Sequence, residues 1–235
     1  TLYDAETREV LYKTSFSSLF QEWITTEEAK SITKSFEFTL LVPMPKRATI
    51  AEMVLRDNTG KESKLSHTID PKDVLIRNRN NQKAVPHCYT HQGGDSKECI
   101  DVVILAEGYR IDEMDTFMED AMITTSEILS YEPFKSHKDK FNFIAVYSPS
   151  ADTNVSVPQD EAWRDTAVGS NFMTFYMERY LTSGEVYAMY NLATNIPCEH
   201  FIILANTDTY GGGGIYNSYT LTTAHHPSFR PVVVH

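Results

Sequence analysis

Two short runs of apolar residues constrain the fold of this chain more than any other feature. Asp101–Ala106 (DVVILA) and His200–Ala205 (HFIILA) are continuous and have the length of one strand. Such a run is typical of a β-strand that is covered on both faces, as in a parallel sheet with helices packed against it. Phe141–Tyr147 is predicted as the strand between them. The later part of the chain is therefore predicted to alternate strands with helices.

Helices are predicted between these strands. One runs from Asp112 to about Leu129, because apolar positions recur at helical spacing within it. Those positions are Phe117, Ala121, Thr125 and Ile128. Thr182 and Glu185 have the T-x-x-E spacing of a capping box, which predicts a second helix that ends near Asn195.

The first part of the chain is predicted to be β-rich. Candidate strands are Glu9–Thr14, Lys34–Val42, Ala51–Arg56 and, with weaker patterns, Lys64–Ile69 and Val74–Ile76. The segment Ser17–Lys30 is ambiguous and partly helical in pattern. An antiparallel sheet or a small sandwich is the expected result.

A polar, glycine-rich segment, Pro86–Cys99, separates these two patterns. Clusters of this kind mark loops, and a change of periodicity across one indicates a domain boundary. We therefore predict an α+β protein with a β-rich, sandwich-like domain at residues 1–90. An incomplete α/β domain is expected at residues 91–235.

Charge and composition exclude some classes of partner. The formal net charge is −11, whereas nucleic acids and anionic membrane surfaces attract proteins with a surplus of Lys and Arg. No apolar run is long enough to span a bilayer. The three cysteines do not form a disulfide framework, and pairing of Cys88 with Cys99 is left open beside free thiols. The residues themselves leave the cellular compartment open.

The C-terminal residues predict the start of a helix. Ser228 can cap it, and Pro231 suits its first turn, where no backbone N–H is needed. Val232–Val234 and His235 would then face a chain end after only two turns, so the helix is expected to continue beyond His235. In zinc peptidases a valine-rich first turn also delivers the first histidine of the H-E-x-x-H motif, although the pattern alone is weak.

The run Gly211–Gly214 has more than one explanation. No Lys follows it, which argues against a phosphate-binding loop, and the strand predicted over Ile215–Leu221 argues against a dinucleotide-binding turn. A flexible turn and a site of close backbone approach both remain open. Glu107 follows a buried strand, where site residues often lie, but local capping or pairing explains it equally well.

The histidines elsewhere are weaker candidates. His87 and His91 are four residues apart, but Pro86 and Gly93 argue against the helix that would bring them together around a metal. His225 and His226 precede Pro227 and are interpreted as exposed loop residues that could line a cleft. No G-x-S-x-G motif supports a serine esterase.

From Cys99 onward the sequence resembles the immunoglobulin A peptidase family of zinc metallopeptidases. The resemblance is carried by Cys99–Arg110 (CIDVVILAEGYR), Ala205–Tyr219 (ANTDTYGGGGIYNSY) and Thr223–His235 (TAHHPSFRPVVVH). It covers roughly residues 86–235. The preceding part resembles, with weaker motifs, the β-rich domain found before the catalytic domain in many bacterial members. The first histidine of the family's zinc motif falls on His235.

The resemblance implies a zincin-like catalytic domain and a secreted zinc-dependent endopeptidase, located outside the cell, in the periplasm or at the cell surface. His235 would be a zinc ligand, and the substrate would be a protein or peptide. Gly212, Gly213, Gly214, Ile215 and Tyr216 would hold an extended substrate at a strand edge. The motif's Glu, its second His and its downstream acidic ligand do not occur in this sequence, so the chain by itself is expected to be inactive.

Two other functions stay open. One is a non-catalytic module that binds a protein or glycan through the β-rich domain and the acidic surface. The other is a nucleotide-using α/β enzyme, which the missing Lys after the glycine run disfavours.

Overall fold

The computed structural model describes residues 1–57, 59–228 and 233–234. The strands are β1 (Leu2–Asp4), β2 (Val10–Tyr12), β3 (Thr49–Arg56), β4 (Glu62–Ile69), β5 (His87–Gln92), β6 (Ile100–Glu107), β7 (Phe141–Val146), β8 (His200–Ala205), β9 (Gly212–Ile215) and β10 (Tyr219–Thr223). The α-helices are α1 (Leu19–Trp23), α2 (Met114–Ile128) and α3 (Val186–Leu192). Short 3-10 helices lie at Glu28–Lys30, Ile111–Glu113, Lys135–Lys140, Pro158–Asp160 and Thr174–Tyr176.

Two compact units make up the chain. The first consists of Thr1–Phe16 and Leu40–Asn81, and the second consists of Ser17–Thr39 and Gln82–His235. The first contains one four-stranded antiparallel sheet in the order β2-β1-β3-β4. The predicted α+β fold class with a β-rich N-terminal part is confirmed.

Two of the strands predicted in the N-terminal part are wrong. Lys34–Val42 forms no strand, because Phe36 instead packs its ring against Phe20 and Trp23 at centroid distances of 6.2 and 5.7 Å. Val74–Ile76 forms a turn: the Asp73 carboxylate accepts the Leu75 amide and the Asp73 carbonyl accepts the Ile76 amide. Aspartate favours this kind of turn because its short side chain bonds to nearby backbone amides.

The second unit is built on a six-stranded mixed sheet in the order β5-β7-β6-β8-β10-β9. The four inner strands are parallel to one another, and the outer strands β5 and β9 are antiparallel to their neighbours. The two apolar runs became β6 and β8, which pair directly, Ile104 beside Ile202. Residues Val103–Ala106 are fully buried, as a strand covered on both faces requires.

The two faces of this sheet carry different cores. Helix α2 covers one face through Phe117, Ala121 and Ile128, and Val233 packs in the same cluster. Helix α3 covers the other face through Val186 and Met189. The sheet therefore lies between helices on both faces, as the apolar runs predict.

The glycine-rich segment near residue 90 is held by the second sheet. The Asn142 side-chain oxygen accepts the amides of Gly93 and Gly94 at 2.9 and 3.2 Å, and the Asn142 amide donates to the buried Asp101 carboxylate at 2.8 Å. Strand β5 spans the boundary expected between residues 90 and 91 and pairs with β7. The division into domains at residue 90 stays a prediction.

Two predicted elements begin and end differently in the second unit. Thr182 caps no helix, because its hydroxyl bonds to that of Thr174 at 2.7 Å and its backbone pairs with Asn171. Helix α3 begins at Val186 instead. The single strand predicted over Ile215–Leu221 is interrupted by a turn at Tyr216–Ser218, so the glycine run itself forms β9 and the residues after the turn form β10.

Candidate functional site

Strand β9 is the outermost strand of the six-stranded sheet and contains three of the four consecutive glycines. It pairs with β10, with Ile215 opposite Tyr219 and Gly212 opposite Thr222. Asn217 has a φ of 57°, a left-handed conformation that asparagine tolerates, and this allows the tight turn between the two strands. Because successive residues of an antiparallel strand point in alternate directions, Gly212 and Gly214 direct their amide and carbonyl groups away from β10.

A segment that we call the strap, Arg179–Leu181, covers the outer edge of β9 at Gly212. The Gly212 amide donates to the Arg179 carbonyl at 3.1 Å, and the Leu181 amide donates to the Gly212 carbonyl at 3.3 Å. A Cβ on Gly213 would lie 2.5 Å from the Leu181 carbonyl oxygen. Gly214 is exposed, and a Cβ there would meet nothing closer than the Tyr219 oxygen at 3.9 Å. The edge of β9 is thus occupied at Gly212 and accessible at Gly214.

The residues before the strap have an unusual backbone. Met173, Phe175 and Tyr176 have φ values of 61°, 53° and 68°. Non-glycine residues in this region cost about 1–3 kcal/mol each and persist only where the surrounding structure holds them. The Phe175 ring packs against Tyr180 at a centroid distance of 6.3 Å, so the strained turn and the strap support each other.

An open groove of about 480 Å³ follows β9. Its lining consists of Met177, Arg179, Tyr180, Tyr210, Gly211–Gly214 and Thr220–Thr222. The Arg179 guanidinium lies over the Tyr210 ring, 5.9 Å from its centroid. The Tyr210 ring also contacts His226, with ring centroids 5.0 Å apart. An aromatic ring that contacts two basic side chains therefore forms part of the groove.

Glu107 lies at the carboxyl end of β6 and is fully buried. Its carboxylate accepts hydrogen bonds from the Thr166 hydroxyl at 2.6 Å and from the amides of Val168 and Ser170 at 3.0 and 2.8 Å. Burial raises the pKa of Glu107, and these hydrogen bonds oppose that effect. The residue anchors a long loop to the sheet.

A chain of hydrogen bonds lies at the same end of the sheet. The Asp120 carboxylate on α2 accepts the Tyr109 hydroxyl at 2.7 Å and contacts His225 Nε2 at 2.8 Å. Burial, followed by the charge of Asp120, raises the pKa of Tyr109, so this hydroxyl stays protonated and acts as the donor. His225 is an exposed loop residue, as expected, and its side chain is fixed to α2.

The remaining candidates are His235, His87, His91 and the three cysteines. His235 falls outside the described residues. His87 and His91 lie on strand β5, not on a helix, and their ring nitrogens bond to the carbonyls of Val85 and Lys138. The three cysteines are free thiols, so Cys88 and Cys99 do not pair.

Within the described ranges, no group of three or more His, Cys, Asp or Glu side chains is arranged to hold a metal ion. The described residues therefore do not by themselves fit a zinc ion, which needs three or four protein ligands. No helix of this part of the chain could serve as a transmembrane segment.

Sequence reasoning missed Arg179, the strap and the Tyr109–Asp120–His225 chain. Arg179 belongs to no motif, and its position depends on the turn at residues 173–176, which no local pattern predicts. Asp120 is a polar residue of an amphipathic helix, and nothing in its spacing indicates that it meets His225, which is 105 residues later.

The sequence was also compared with known proteins. The family model described as IgA Peptidase M64 matches residues 89–235. The model described as Peptidase M64 N-terminus matches residues 1–66. No curated protein matches the chain. The chain belongs to the IgA peptidase M64 family, a family of metallopeptidases.

Proposed function

We propose that this chain is part of a secreted, zinc-dependent endopeptidase and that it binds extended protein or peptide substrates along β9. Membership of a metallopeptidase family supports the reaction class. The observation that carries the substrate site is Gly214, an exposed residue of an antiparallel edge strand beside an open groove.

An edge strand binds a peptide by extending its hydrogen-bonded ladder to one more strand. Gly211, Gly212 and Gly213 have a packing reason to be glycine, since a Cβ on each would come within 2.8 Å of another part of the chain. Gly214 has no such neighbour. Close approach of a substrate backbone would explain why residue 214 is also glycine.

The strap limits where a substrate can bind. The outward groups of Gly212 already bond to Arg179 and Leu181, and the Tyr216 carbonyl accepts the Ser17 amide at 3.3 Å. A peptide would therefore pair with the edge of β9 at Gly214. Among the five residues expected to bind substrate, Gly214 therefore has the central role, while Gly212 and Gly213 shape the groove.

His235 is proposed as one zinc ligand. When bound, zinc would supply an activated water for hydrolysis. Since the described residues do not complete a zinc site, we assign them no catalytic step; they bind and orient the peptide. Location outside the cell or in the periplasm is proposed from the resemblance of the sequence to secreted peptidases.

The experiment compares peptide cleavage by this chain with cleavage by a form extended beyond His235, each with and without a chelator. We expect cleavage by the extended form only, with loss on chelation, recovery with zinc, and loss in the His235→Ala variant. Gly214→Pro, which removes the outward amide, should raise KM. Chelator-resistant cleavage would contradict the proposal, and peptide binding without cleavage by either form would favour a non-catalytic binding module.

A further inference from the structure

We propose that Arg179 forms a carboxylate-binding subsite at one end of the β9 groove, and that this subsite selects peptides carrying a carboxylate close to the residue bound at Gly214. The carboxylate can belong to an Asp or Glu side chain or to a free C-terminus. The inference rests on the proposed binding of peptides along β9.

The guanidinium of Arg179 has no acidic partner in the part of the chain that the structure describes. The ion pairs found there involve other basic residues, namely Lys30, Lys34, Arg47, Arg56, Arg110, Lys140 and His225. The chain has 32 acidic and only 21 basic residues, so carboxylates are abundant. An exposed arginine that lines a groove without one of them is available to a ligand.

Tyr210 holds this guanidinium in place. A cation above an aromatic face is attracted by the ring, and the Arg179 guanidinium carbon lies 5.9 Å from the ring centre. A guanidinium that contacts an aromatic ring can still donate its in-plane N–H groups to a carboxylate through two hydrogen bonds. The arginine is thus partly preorganised for an anion.

The position of Arg179 relative to the strand edge sets what it can reach. Tyr180 pairs in parallel with Gly212, so Arg179 lies beside Gly211, at the end of the strap that is farther from Gly214. Gly214 is three residues from Gly211, about 10 Å in an extended strand, a distance that the long Arg179 side chain and a peptide side chain span together. A peptide paired at Gly214 would therefore place a neighbouring side chain, or its own end, near the guanidinium.

The test measures binding directly, by fluorescence anisotropy of labelled alanine-based hexapeptides. One set has an amidated C-terminus and a single Glu at each position in turn, a second set has Gln in place of Glu, and a third has Gln with a free C-terminal carboxylate. The proteins are the unaltered chain, Arg179→Gln, Arg179→Lys and, as a matched control, Arg164→Gln. Arg164 is exposed and does not line the groove.

We expect the unaltered chain to bind one carboxylate-bearing peptide about two- to fivefold more tightly than its neutral counterpart, the range for an exposed ion pair. Arg179→Gln should abolish that preference while binding of the neutral peptide stays unchanged, which also shows that the variant is folded. Arg179→Lys should retain part of it, and Arg164→Gln all of it. Preference for the Glu set identifies a side-chain carboxylate, and preference for the third set identifies a C-terminal one.

Equal binding of all peptides, or a preference that survives in Arg179→Gln, would overturn the subsite, as would a complete lack of peptide binding. Cleavage does not enter these measurements. A carboxylate preference in a protein that cleaves nothing would therefore support the subsite and refute the proposed hydrolysis.

Discussion

Gly213 and Gly214 are neighbours on β9 that meet different surroundings. A Cβ on Gly213 would lie 2.5 Å from the Leu181 carbonyl oxygen, whereas one on Gly214 would have 3.9 Å of space. We expect Gly213→Ala to lower the free energy of unfolding by about 1–3 kcal/mol, because the strap must move. Gly214→Ala should change it by less than about 1 kcal/mol. Urea denaturation followed by tryptophan fluorescence tests both, and equal effects would show that the strap does not press on β9.

Glu107 should give the chain a measurable pH dependence of stability. Burial raises its pKa above the ordinary value of 4.5, so the folded state binds this proton more readily than the unfolded state. The stability that Glu107 contributes is therefore present below pH 4.5, and it is lost as the pH rises through the pKa that Glu107 has in the folded state. We expect the unfolding free energy of the unaltered protein minus that of Glu107→Gln to decrease over this window.

The comparison with Glu107→Gln cancels the titration of every other group that the two proteins share. Both tryptophans, Trp23 and Trp163, lie in the second unit, so their fluorescence reports the unit that contains Glu107. A difference that stays flat, or that increases with pH, would mean that the hydrogen bonds from Thr166, Val168 and Ser170 outweigh burial.

Among the elements, α3 depends on a distant residue for its N-terminus. The Tyr187 amide in its first turn donates to the Glu37 carboxylate at 2.6 Å. A carboxylate at this position also interacts favourably with the helix dipole. We expect Glu37→Ala to reduce the unfolding free energy by about 0.5–2 kcal/mol and to speed hydrogen exchange at Tyr187. Glu27→Ala is the control, since the Glu27 side chain is highly exposed and pairs with Lys30, and a similar loss there would contradict the role of Glu37.

Elements that are fixed by their own residues could be predicted from the sequence. Strand β8 has the predicted bounds, because a continuous apolar run of this length, HFIILA, is typical of a strand covered on both faces. Lys34–Val42 has an equally clear alternation, but it forms no strand, and its Phe36 packs against Phe20 and Trp23. The turn between β9 and β10 was not predicted either, because it depends on the left-handed backbone conformation of Asn217.

The candidate site shows the same limit. The glycine run singled out the strand that lines the groove, because a residue without a Cβ permits close approach of another backbone. Its role in substrate binding stays a prediction. The residue proposed to select the ligand, Arg179, reaches the groove through contacts between segments that are far apart in sequence. Single-residue patterns carry no information on such contacts.

At the scale of the whole molecule, the chain passes between its two units more than once. Ser17–Thr39 belongs to the second unit, although the residues on both sides of it belong to the first. Leu19 packs against the core on the α3 face of the six-stranded sheet, and Asn195 near the end of α3 donates to the Gln82 carbonyl. The second unit therefore needs a segment that precedes most of the first unit in sequence.

This arrangement predicts different results for two truncations. Removal of residues 1–16 takes away β1 and β2 and should leave hydrogen exchange in α3 unchanged, because all these residues belong to the first unit. Removal of residues 1–39 also takes away Leu19 and the Glu37 carboxylate that accepts the α3 amide. Hydrogen exchange at the α3 amides should then be faster by an order of magnitude or more. A loss of about 1.4 kcal/mol in the free energy of opening gives a tenfold change in exchange rate. Equal protection of α3 in the two truncated proteins would show that residues 17–39 do not stabilise the second unit.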